Sequence, residues 1–186
     1  MEQNAMIKNM WNAAGVAGLA LGAVSSAYLF ASQFIAGNLS EAVLWQQVIA
    51  IALWAIKIIA CVWLMRFFMA KFASENSLTD RKTIFRMGMA TAFLSALMFS
   101  AIYLANILYI SADFYDQVLQ TAIQQMTPTL DSNSMSVIEK VIDMLPQVLF
   151  FYYLTYCFLF GTVLSLIISR SIPTQENLPE SQTDEQ

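Results

Sequence analysis

The chain has 186 residues, 58% of them hydrophobic and only 12% charged, with a formal net charge of −4. A soluble domain carries about twice that share of charge, and the mean hydropathy of +0.58 and pI of about 4.6 point away from nucleic acid and toward a bilayer. The sequence has no histidine, which removes serine–histidine triads, cysteine–histidine dyads and the usual zinc sites together.

The first residues, up to Asn12, are polar and carry one cation, Lys8. The apolar block that follows, residues 13–35, exceeds the ~7–15 residues of a signal-peptide core, so it is predicted to be a retained first span. Ala14, Gly18, Gly22 and Ser26 recur at every fourth position and make a smooth stripe for close helix approach, read here as packing within the chain. Gly37 to Leu44 is a short turn with Glu41 and no cation, which makes spans one and two antiparallel neighbours. The second span, about 46–68, starts behind a headgroup-level Trp45. Val48 to Met65 suffices to cross ~30 Å of hydrocarbon at ~1.5 Å per residue. Lys57 costs about 2.5–3.5 kcal/mol at the centre of such a helix. The Val, Ile and Leu side chains between Val48 and Leu64 each return about 0.3–0.6 kcal/mol, so the terms nearly cancel. The helix is predicted to continue to about Phe72.

The next connection holds Arg66, Lys71, Arg81, Lys82 and Arg86, five of the nine basic residues of the chain, with Asp80 as N-cap of the following helix. The third span covers about 84–110, with a second small stripe at Gly88, Ala92, Ala96 and Ser100, and Tyr103 and Asn106 toward its far end. Between Ser111 and Gln147, Phe114, Val118, Leu119, Ala122, Ile123 and Met126 share one helical face, and Asp116, Gln117, Gln120 and Gln124 share the other. That pattern predicts an amphipathic helix stopped by Pro128. A further helix starts near Ser136, where Ser136 and Glu139 have capping-box spacing, and runs through Pro146 into the fourth span, about 148–168. This span is rich in aromatics and carries a third small stripe, Cys157, Gly161 and Ser165, before Arg170. Residues 171–186 are predicted to be a disordered acidic tail. Cys61 and Cys157 lie at depths differing by ~12 Å on this register, too far apart for a disulfide.

The fold class expected is an all-α membrane protein with a single domain, residues 1–170. It has four transmembrane helices and an extracytoplasmic amphipathic helix between spans three and four. Lys8, the five-cation connection and Arg170 share one side, and Lys140 alone lies on the other. The positive-inside rule then places both termini in the cytoplasm, with the acidic tail.

The sequence holds no paired intramembrane carboxylates, P-loop, metal-ligand spacing or nucleophile elbow, so no catalytic, cofactor-binding or metal site is expected, and no enzyme. Every acidic residue lies outside the apolar blocks, which leaves Lys57 without an acidic partner at its depth. The candidate intramembrane polar cluster is Lys57, Tyr103, Asn106, Tyr152 and Tyr156. The candidate lipid-headgroup contacts are Arg66, Lys71, Arg81, Lys82 and Arg86, although such loops also serve simply to fix topology.

The order and spacing of several short features carry a resemblance. These are Gly18 and Gly22 in span one, Arg66–Phe67 after span two, and Phe85 and Gly88 opening span three. Asp113–Phe114 follow that span, and Gly161 precedes the closing Ser165–Leu166–Ile167–Ile168–Ser169. The chain resembles a four-span bacterial membrane family known as domain of unknown function 4199, over about Trp11 to Arg170. The resemblance implies a bacterial inner (cytoplasmic) membrane protein and carries over no functional residue. The sequence thus supports a non-catalytic bundle with a packing or interaction role, in contact with the lipid bilayer and with a second copy or another membrane protein. The alternative is a small transporter or channel in which Lys57 lines an anion path.

Overall fold

A computed structural model describes residues 2–38, 43–76, 80–126 and 132–172. The described residues form five helices and no strand. They are α1 (Glu2–Asn38), α2 (Val43–Glu75), α3 (Arg81–Ala105, continued by a π-helical turn Asn106–Ile110), α4 (Ala112–Met126) and α5 (Ser132–Ser171). Four stretches are long and apolar enough to cross a membrane: Met6–Ile35, Gln47–Glu75, Arg81–Ile110 and Lys140–Ser171. They cover the four spans expected from the sequence to within one residue. α2 outruns its span by three residues beyond Phe72, and α5 runs through Pro146 unbroken. The Pro128 stop and the acidic tail lie outside the described residues, as do the side chains of the Ser136–Glu139 pair.

α3 is the central element. It packs along most of its length against α1 on one side and α5 on the other, while α2 lies mainly on α1. The small-residue stripes explain this order. A Cβ added at Gly18 would meet Leu94 Cβ at 2.7 Å and the Ser95 nitrogen and Thr91 oxygen at 3.3 Å, so α1 lies directly on the α3 backbone. Across the other face of α3, Gly161 faces Ala92, Gly88 faces Ser165 and Met69, and Ser165 Oγ donates to the Phe85 carbonyl at 3.1 Å. All three stripes therefore meet partners within the chain.

Two apolar clusters sit at opposite ends of the bundle. The first joins Ala17 and Leu21 of α1, Met65, Met69 and Phe72 of α2, Ile84 and Met87 of α3, and Ile168 and Ile172 of α5. The second joins Leu29, Phe99, Tyr103 and Ile107, with Tyr115, Leu149, Tyr153 and Cys157 packed on it, and has no α2 residue. α2 and α5 thus meet through the first cluster. Large apolar side chains cover the outside of the bundle, among them Leu19, Trp54, Ile59, Trp63, Phe151 and Ile167.

The start of α3 shows local sequence chemistry at work. Asp80 is extended, with φ −78° and ψ 161°, and its Oδ1 accepts from the Thr83 amide at 3.0 Å. That carboxyl is held below its ordinary value, first by the hydrogen bonding from Thr83. Asp80→Ala is expected to cost about 0.5–2 kcal/mol, and Asp80→Asn less, measured as thermal midpoints of the purified chain. Because the folded pKa is the lower one, the capping contribution is present above the unfolded carboxyl pKa of about 3.9. It is lost as pH falls through the lower folded value, so the wild-type advantage over Asp80→Ala shrinks below about pH 4.

Candidate functional site

The lysine on α2 turns inward. Lys57 Nζ lies over the ring of Tyr28 on α1, 4.8 Å from its centroid, and over the ring of Phe99 on α3, 5.1 Å away. Both distances fall within the ~6 Å at which a ring quadrupole attracts a cation. Lys57 makes no hydrogen bond or ion pair with another described residue; the one ion pair among them joins Lys71 to Glu75. The α2 register sets this orientation, since Ile56 and Ile59 on either side of Lys57 face outward while Cys61, one turn on, lies beside Ser25 of α1 (Sγ···Oγ 3.9 Å).

Lys57 borders a cavity of about 350 Å³ to which every helix contributes. Ser32 and Gln33 come from α1, Tyr103 from α3, Phe114 and Tyr115 from α4, and Tyr153, Tyr156 and Cys157 from α5, beside Tyr28 and Phe99. Its walls form an aromatic chain: Tyr103 and Tyr153 have centroids 4.3 Å apart, and Phe99 meets Tyr153 edge-on at 5.8 Å. Its polar groups cluster at one end, where Gln33 Nε2 donates to Tyr115 Oη at 3.2 Å and the Tyr103 hydroxyl meets those of Tyr153 and Tyr115. The site therefore combines one cation, hydroxyl and amide groups, and apolar aromatic faces, with no carboxylate among the described residues that line it.

Of the five residues grouped from the sequence, the structure brings Lys57, Tyr103 and Tyr156 to this cavity and leaves two elsewhere. Tyr152 is 58% exposed on the outer face of α5, stacked on Tyr156. Asn106 is fully buried outside the cavity lining, where it opens the π turn. There Ser111 donates its amide to the Asn106 carbonyl at 2.8 Å and its hydroxyl to Oδ1 at 3.1 Å, while Nδ2 is buried without a partner. The residues missed from the sequence are Tyr28, Phe99, Gln33, Tyr115 and Tyr153. Tyr115 fell outside both faces assigned to α4, yet it ties that helix to α1. The two cysteines are free, and both come within electrostatic reach of Lys57.

The basic residues gather at the opposite end. Arg66, Lys82 and Arg86 are exposed, and Lys71 pairs with Glu75 at 3.9 Å. Arg81 is half-buried, its Nε without a partner, in a groove shared with Lys82, Phe85, Ser169 and Arg170. Arg170 is the cation of this groove that the sequence reading left out of the headgroup set. Among the described residues, no group of three or more His, Cys, Asp or Glu side chains is placed to hold a metal ion. No family model, curated protein or solved structure matches the chain.

Proposed function

We propose that this chain is a multi-pass protein of the bacterial inner membrane, a non-catalytic four-span bundle with an interaction role, similar to the domain of unknown function 4199 family. The observation that carries the reading is the combination of four long apolar helices, apolar side chains facing outward all round, and cations gathered at one end. Both termini then lie in the cytoplasm, α4 lies on the outer face as an amphipathic cap, and the basic end meets anionic headgroups. The small-residue stripes are occupied within the chain, so a second copy or another membrane protein would meet other surfaces. A cysteine at Lys82 is expected to be shielded from an impermeant thiol reagent in whole cells, and one at Gln117 to be labelled. The reverse pattern would sink the orientation, and release of the protein by alkaline carbonate would sink the membrane assignment.

The Lys57 cavity favours a second reading, a transporter or channel with this lysine on an anion path. A continuous path would have to pass the apolar cluster around Met65, Met69 and Met87, each at most 1% exposed. The cavity supports occupancy better than passage. Flux of chloride into proteoliposomes, abolished by Lys57→Met, would favour the path instead.

A further inference from the structure

We infer that the Lys57 cavity is a binding site for a single-chain carboxylate amphiphile drawn from the bilayer. The inference rests on the membrane reading above and gives its interaction role a ligand. Charge decides the headgroup. Lys57 brings one positive charge to a lining with no carboxylate among its described residues, and its ammonium has three N–H donors facing aromatic faces that hold charge but accept no full hydrogen bond. A monoanion with two acceptor oxygens completes that set: one oxygen takes the ammonium, the other the second Nε2–H of Gln33, whose first goes to Tyr115. One cation matches one carboxylate, and a phosphate monoester would bring more charge than the site can pair.

Shape decides the rest of the molecule. A cavity of about 350 Å³ is at the small end of ligand sites and suits one chain rather than two. Its walls, chiefly Phe99, Tyr153 and Tyr156, are aromatic and favour an apolar body over a small hydrated ion. Tyr156 of its wall is 57% exposed on the apolar outside of the bundle, so a chain lying in the membrane can reach the cavity sideways past it.

The test uses the full-length protein in nanodiscs with a diazirine-bearing decanoic acid analogue as photolabel. Labelling is expected on α5 around Tyr153 and Tyr156, displaced by decanoate and not by decanol, decyltrimethylammonium or acetate. Lys57→Met should cut the labelling about tenfold or more, as expected for the loss of one charge-assisted contact, and Lys57→Arg should retain it. Ser32→Phe, which narrows the cavity and keeps the lysine, should also lose it. Competition by decanol as strong as by decanoate would overturn the anion requirement, and competition by acetate alone would make this a free-anion site. Either result overturns the proposal, as would undiminished labelling of Lys57→Met, and the wild-type competitions decide even if a variant fails to fold. Carbonate extraction of the same preparation separates the two levels: a protein retained in the membrane but unlabelled defeats only this inference.

Discussion

Gly18→Ala is expected to destabilise the protein by about 1–3 kcal/mol, whereas Gly15→Ala on the same helix should be neutral or stabilising by up to about 1 kcal/mol. The two substitutions add the same methyl group to α1 and differ only in what it meets. At Gly15 nothing lies within 4 Å, so the added methyl gains helix propensity without a clash. At Gly18 it meets Leu94 Cβ at 2.7 Å, and the next neighbours, at 3.3 Å, are α3 backbone atoms that cannot swing aside. Either α1 lifts off α3 or the pair packs under strain, and the two are the most extensively buried partners after α3 and α5. Gly22→Ala should fall between them, because its obstacle is the flexible Met98 side chain, whose sulfur lies at 2.7 Å. Thermal midpoints of the purified variants in one mild detergent give the order. Equal shifts at Gly15 and Gly18 would mean that this stripe is not where α1 meets α3.

That stripe was legible because small residues at every fourth position have few uses other than close approach of helices. Ala14, Gly18, Gly22 and Ser26 are buried as a set, and so are Gly88, Ala92, Ala96 and Ser100. Which stripe meets which was not legible, since the same period is compatible with any partner helix. Here α3 turns a different face to each neighbour, Thr91, Leu94 and Ser95 to α1, and Gly88 and Ala92 to α5. Span positions were legible for the same kind of reason: hydropathy summed over a whole helix outweighs single exceptions such as Lys57.

The partners of Lys57 were harder to read. Sequence position gives a depth along the bundle axis and leaves the azimuth open, so residues chosen by depth included Tyr152, which is not among the residues lining the cavity. Searching for polar atoms also passed over Phe99, because an aromatic ring counts as apolar in a hydropathy sum while its face is electronegative. The π turn at Asn106–Ile110 has no plain sequence signature, yet it sets the register by which Ser111 reaches Asn106 and α4 departs.

The electrostatic role of those rings yields the sharpest contrast in sign. Lys57→Met removes two cation–π contacts, at 4.8 and 5.1 Å, each contributing about 0.5–2 kcal/mol. On the membrane reading it also removes an insertion cost of about 2.5–3.5 kcal/mol. The balance runs from a loss of about 1.5 to a gain of about 2.5 kcal/mol and centres near neutral, so Lys57→Met should insert normally and melt close to wild type. Lys57→Glu keeps a charge at the same depth and reverses its sign. The faces of Tyr28 and Phe99 then repel the side chain, and with no basic partner among the described lining residues it must ionise unpaired or take up a proton. Relative to wild type this forfeits the ring contacts with nothing gained, an expected loss of about 1–4 kcal/mol. Raising the pH should widen the gap between the two variants, because the glutamate is best tolerated while protonated. Membrane-inserted yield and thermal midpoint, measured for both variants at two pH values, test the argument together. Equal behaviour of Met and Glu would mean that the charge at residue 57 is solvated by water and owes nothing to the rings around it.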